Sequence, residues 1–104
     1  MEAARLKTLL RFALRTGRVV FGPTGAKVKG ARHPGGVLFV AADGKAERRE
    51  QMERWAAREN VTVCSDLSAA DLAEVAGRPV SVLYVYDRSL ARSLGNELGG
   101  KREI

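Results

Sequence analysis

One cysteine, one histidine and three prolines are spread over 104 residues. A lone Cys64 excludes an internal disulfide framework and offers no thiol cluster for zinc. Its place in the apolar run Val61 to Cys64 gives it the character of a buried, inert thiol. His33 stands beside Pro34 in an expected turn, far in sequence from Cys64, so neither a metal site nor a Cys-His pair is expected. Long apolar runs are missing too. Gly36 to Ala42 and Val80 to Tyr86 fall far short of the roughly 20 residues that a helix needs to cross a bilayer. The first residues interleave Arg and Lys with Leu instead of forming an apolar segment with a cleavage site, so the expectation is a cytoplasmic protein without a secretory signal or a membrane partner.

Acid is scarce in one place only. Residues 1 to 37 hold eight Lys or Arg against the single acid Glu2, a net of +7, while the remaining 67 residues hold ten cations against eleven acids, a net of −1. All the excess of the formal +6 therefore sits in the first third. A region of that kind attracts polyanions at long range, and nucleic acid is the commonest one inside cells.

What is present is one globular domain's worth of alternating elements: 45% of the residues are hydrophobic, enough for one core and not two. The domain is expected over residues 1–98, with 99–104 as a flexible tail. Leu6, Leu9, Leu10, Ala13 and Leu14 recur at helical spacing, and Gly17 sits where a C-cap would end that helix. A short strand follows from Arg18 to Phe21, then a helix from Pro23 or Thr24 to Arg32 despite Gly25 and Gly30. Val37 to Ala42 is a continuous apolar run, as in a strand covered on both faces. Lys45 to Glu59 is charged nearly all round, with Met52, Trp55 and Ala56 as its apolar ridge. A third strand spans Val61 to Cys64, and a helix opens at Ser68 with Asp71 completing a capping box and closes at Gly77. A fourth strand follows from Val80 to Tyr86 and a last helix from Asp87 to Leu94. Strict alternation implies an α/β fold, with a four-stranded parallel or mixed sheet between helices.

Catalytic patterns are absent. Asp43, Asp66 and Asp87 lie near strand ends, where capping accounts for them. Gly17 to Gly22 has the glycine spacing of a phosphate-binding loop but continues into Pro23, not Lys followed by Ser or Thr. Neither an enzyme nor a cofactor is expected. What remains is the stretch FGPTGAKVKGAR, Phe21 to Arg32, with three glycines, three cations and no acid. Helix N-terminal amides bind phosphate oxygens, glycine allows close approach, and Lys27, Lys29, Arg32 and Arg18 add attraction that does not depend on base sequence.

Three phrases in order carry a resemblance. Leu9 to Gly22 (LRFALRTGRVVFG in its core), Val37 to Asp43 (VLFVAAD) and Leu72 to Arg78 (LAEVAGR) together resemble the kink-turn RNA-binding family of ribosomal proteins, the seven-Ae and thirty-e type, and especially their small bacterial ribosome-associated relatives. The resemblance spans about residues 6 to 95. It implies a three-layer α/β/α sandwich with a four-stranded mixed sheet, binding a sharply bent RNA internal loop through shape, backbone and a few base edges. It also implies a noncatalytic role in the ribosome or a ribonucleoprotein. Structured RNA, whether ribosomal or small, would be the partner, together with ribosomal or ribonucleoprotein subunits. Carried across, the first contact region falls on Gly22, Pro23, Thr24, Gly25 and the nearby cations, and the second on Ala76, Gly77, Arg78 and Pro79. Thr24-Gly25 stand where ribosomal members carry an Asn-Glu pair, and Val28 where they carry lysine. A protein–protein adaptor on the same fold is the alternative function.

Overall fold

The computed structural model describes residues 3–87 together with Arg92 and Ser93. Most of the last expected helix, and the tail from Gly99, lie outside these residues. Four helices and four strands alternate: α1 (Ala3–Thr16), β1 (Val19–Phe21), α2 (Pro23–Arg32), β2 (Val37–Val40), α3 (Ala46–Glu59), β3 (Thr62–Cys64), α4 (Ala69–Ala76) and β4 (Val82–Val85).

The sheet is mixed, in the order β1-β4-β2-β3. β4 runs antiparallel to both of its neighbours, Val20 facing Tyr84 on one side and Leu38 facing Tyr84 on the other, while β2 and β3 are parallel with Leu38 opposite Val63. The two central strands, VLFV and VLYV, are buried at every position. Alternate side chains point to opposite faces of a strand, and each face has its own helices. Val37, Phe39, Leu83 and Val85 pack with Leu6, Leu10 and Ala13 of α1 and Leu72 of α4. Leu38, Val40, Val82 and Tyr84 pack with Ala26 of α2 and with Met52, Trp55 and Ala56 of α3. The result is the α/β/α sandwich, with Cys64 buried on the α1–α4 side. Full burial of each of these Leu, Val and Phe side chains is worth about 1.5–3 kcal/mol before conformational entropy is counted, so the two continuous apolar runs at the centre dominate the favourable side of folding.

Local chemistry sets where the helices begin and end. Gly17 after α1 and Gly77 after α4 adopt positive φ, as C-terminal caps do. At the start of α4 the Ser68 hydroxyl accepts from the Asp71 N–H while the Asp71 carboxylate accepts from the Ser68 N–H. Asp43, at the end of β2, reaches across to accept from the Ala69 N–H at 2.8 Å. It therefore caps a helix 26 residues away rather than its own turn. The Ser68 amide is also the main reason the Asp71 carboxyl is held below its ordinary value of 3.8, with Lys7 adding to the effect. A depressed carboxylate contributes stability at pH values above its ordinary range and loses it as pH falls through the lowered value. Lys7 bridges Asp71 and Glu74 at 3.3 and 3.1 Å, and Arg11 reaches Glu74 at 3.1 Å, so α1 and α4 are clasped on their outer edges. Replacing Ser68 with alanine is expected to lower unfolding free energy by about 1 kcal/mol, read as a lower urea midpoint at unchanged m-value.

Candidate nucleic-acid interface

The turn between β1 and α2 is shaped by Gly22, whose φ of +87° and ψ of 157° suit glycine and few other residues. Its N–H donates to the Val82 carbonyl at 2.8 Å, which ties the turn to the start of β4. Pro23 occupies the first helical position, where a missing N–H removes nothing. No side chain caps α2, and the first intrahelical bond is made by Ala26 to the Gly22 carbonyl. The amides of Thr24 and Gly25 precede that bond and so have no intrahelical partner; Thr24 is exposed and Gly25 partly so.

The loop Gly77 to Ser81, more than fifty residues further along the chain, lies beside this turn. Phe21, Gly22, Arg78, Pro79 and Val80 line one open cavity of about 470 Å³. The Arg78 guanidinium sits 4.3 Å above the Phe21 ring, held there by attraction between the cation and the ring face. The Gly22 turn and the Arg78 loop thus form one surface, floored by Phe21 and carrying a fixed cation. Ala76 is half-buried as the last residue of α4, and Gly77 is exposed at its left-handed cap. Phe21 itself was not among the residues expected to contribute. Its only signal in the sequence was its position directly before Gly22-Pro23.

The remaining cations divide. Lys27 lies one turn into α2 and is exposed. Lys29, two positions on, is rotated about 200° around the helix by the 3.6-residue repeat. Its ammonium lies 5.1 Å from the centre of the Tyr86 ring, against which His33 also stacks with its own ring at 5.1 Å. Arg18 is at this same end, because its carbonyl accepts from the Tyr86 N–H. Arg32 closes α2 just before His33. Helix α2 is about 15 Å long, so Arg18, Lys29 and Arg32 form a second cationic cluster, with Tyr86 and His33, at the end of the helix opposite the Gly22 turn. The cations therefore do not all converge on the turn, because a helix laid antiparallel to its preceding strand carries its later residues back to that strand's start.

Among the described residues no three His, Cys, Asp or Glu side chains come together to hold a metal ion, and no helix is long and apolar enough to cross a membrane. No family model matches the sequence, and no curated protein matches it. The fold itself is shared: a solved structure of a protein of unknown function from Bacillus halodurans C superimposes with a TM-score of 0.78 over 89% of this chain and 95% of that one, at 16% sequence identity. At that identity the likeness speaks for the α/β/α architecture alone.

Proposed function

We propose that this chain is a noncatalytic RNA-binding protein that grips structured RNA, of the bent kink-turn kind, with the Gly22–Gly25 turn, Lys27 and the Arg78 loop. The observation that carries the proposal is the junction of those two loops: Gly22, at the start of α2, and Arg78 share one cavity wall with Phe21, and the Arg78 guanidinium lies over the Phe21 ring. Backbone amides and a guanidinium suit phosphate oxygens, and a partly open aromatic floor suits a base turned out of its stack. Gly25 has no side chain with which to read a base edge, so recognition here leans on backbone and shape.

The test is an electrophoretic shift of a kink-turn RNA beside a loop-mutated control of equal length. The proposal expects the kink-turn to bind more tightly, with log affinity falling by about 0.7–0.9 per phosphate contact for each log unit of salt. Arg78→Ala should lower that salt slope by about 1, whereas Arg18→Ala, at the other end of α2, should leave specific binding intact. Equal and weak binding of both RNAs would eliminate kink-turn recognition.

One observation favours an adaptor instead. Phe12 and Val28 are about half exposed, at 51% and 52%, and Phe12 carries the Arg15 guanidinium 5.7 Å from its ring centre. An adaptor keeps its protein partner when a lysate is treated with ribonuclease. An RNA-tethered partner is lost.

A further inference from the structure

Tyr84, Tyr86 and His33 form a stack that climbs from the core to the surface. Tyr84 and Tyr86, alternate residues along one extended segment, have ring centres 6.4 Å apart and planes 18° from parallel. His33, the C-cap of α2, continues the stack 5.1 Å from Tyr86 at 23°. The first ring is fully buried, the second half-buried, and the last belongs to an exposed residue. His33 is held twice, since its carbonyl accepts from the Tyr84 hydroxyl at 2.6 Å and its ring rests on Tyr86. A stack that ends in an anchored, exposed ring is a place for one more planar group.

Cations gather at the same end. Lys29 stands one turn before His33 on the same face of α2, with its ammonium 5.1 Å from the centre of the Tyr86 ring. Arg32 is the exposed neighbour of His33, and Arg18, also exposed, accepts from the Tyr86 N–H through its carbonyl. Among the described residues no carboxylate is paired with any of the three. The C-terminus of a helix favours positive charge, which accounts for Lys29 and Arg32. It accounts neither for Arg18, outside the helix, nor for the ladder of rings. An acidic peptide would meet the cations and leave the rings unused. A nucleic-acid duplex has its base faces already stacked. A single strand uses both features, because its bases are free to stack and its phosphates follow the cations.

We infer that the end of α2 opposite the Gly22 turn binds a single-stranded polynucleotide, with a base stacked on His33 and the flanking phosphates on Lys29, Arg32 and Arg18. None of these residues lines the cavity beneath Arg78, and the length of α2, about 15 Å, separates the two places. The site therefore stands whether or not the Gly22 turn binds a kink-turn.

The test is a titration of the full chain with an oligouridylate of about six nucleotides, followed by the His33 and Tyr86 ring protons and the backbone amides. Saturable upfield shifts of the His33 ring are expected, with amide shifts from Lys29 to His33 and at Arg18. His33→Ala, at an exposed position whose bond to Tyr84 uses only the backbone, should weaken binding about tenfold, and His33→Phe, which keeps a flat ring, should restore it. Arg32→Ala should lower the slope of log affinity against log salt by about 0.7, and Arg58→Ala, on α3, should leave it unchanged. An oligothymidylate of equal length, titrated in parallel, tells RNA from DNA. Ring shifts of equal size with inorganic tripolyphosphate, tighter binding of a glutamate-rich peptide, or unchanged affinity in both His33→Ala and Arg32→Ala would overturn the site. A blunt-ended kink-turn RNA, titrated separately, keeps the two readings apart. Kink-turn binding without oligouridylate shifts at His33 overturns this site alone; the reverse result supports it and overturns only the kink-turn reading.

Discussion

Alanine at Gly30 is expected to destabilise the protein by about 2 kcal/mol, while alanine at Gly25, five residues earlier on the same helix, is expected to stabilise it by about 0.5–1 kcal/mol. Both changes add one methyl group to α2, and both gain the helix propensity that alanine has over glycine. They differ in what the methyl group meets. At Gly25 it would rest 3.7 Å from the Val20 Cβ, an ordinary contact. At Gly30 it would lie 2.6 Å from Trp55 Cζ2 and closer still to Cη2. Gly30 of α2 packs directly against Trp55 of α3, and Trp55, only 6% exposed, lies in one cluster with Met52, Leu38 and Tyr84 and has little room to retreat. Overpacking of about 1–3 kcal/mol or more then exceeds the propensity gain of about 1 kcal/mol. Thermal unfolding monitored by Trp55 fluorescence would show the two variants moving in opposite directions, Gly30→Ala down by about 10 °C for a chain of this size. A rise at both positions would mean that the contact between α2 and α3 is looser than described.

Phenylalanine at Tyr84 should cost about 2–4 kcal/mol, because it leaves two backbone groups unsatisfied at once. The Tyr84 hydroxyl donates to the His33 carbonyl at 2.6 Å and accepts from the Gly36 N–H at 3.0 Å. Tyr84 is fully buried with Trp55 edge-on to its ring, and its bond from the Gly36 N–H is buried, so that N–H is left without a partner, while the His33 carbonyl loses its partner at a part-buried position. The hydroxyl joins the end of α2 to the first turn before β2. Burial also raises the Tyr84 pKa above its ordinary 10.0, the Gly36 N–H opposing this only in part. A raised folded value means that the stabilisation is complete below about pH 10 and fades as pH climbs through the raised value. Urea midpoints measured from pH 7 to 11 should therefore fall for the parent protein at the alkaline end and fall less for Tyr84→Phe. A parallel decline in both would assign the alkaline loss to other groups.

These two residues also mark the boundary of what could be read in advance. Tyr84 belongs to the apolar run Val80 to Tyr86, so its strand and its burial are legible from periodicity, yet the run says nothing of a hydroxyl bound to residues about fifty positions away. Gly30 reads locally as a helix breaker. Its value lies in the absence of a side chain opposite Trp55, which local propensity does not register. The interface divides in the same way. Gly22-Pro23 as a turn and helix start, and Gly77 as a cap, follow from backbone preferences of single residues. That Arg78 lies over Phe21 follows only from β4 being inserted antiparallel beside β1.

The sequence by itself determined the succession of elements, their caps, the two central strands and the lopsided charge. Each depends on neighbours within a few residues, on apolar spacing along one segment, or on simple counting. Only the tertiary structure decided the strand order and which cations share a surface. The sheet places β4 between β1 and β2, so the Arg78 loop joins the Gly22 turn and Ser81 joins the first turn of α3. The direction of α2 carries Lys29 and Arg32 away from that end. Charge counted along a chain has no direction in space; the pairing of strands and the path of each helix supply it.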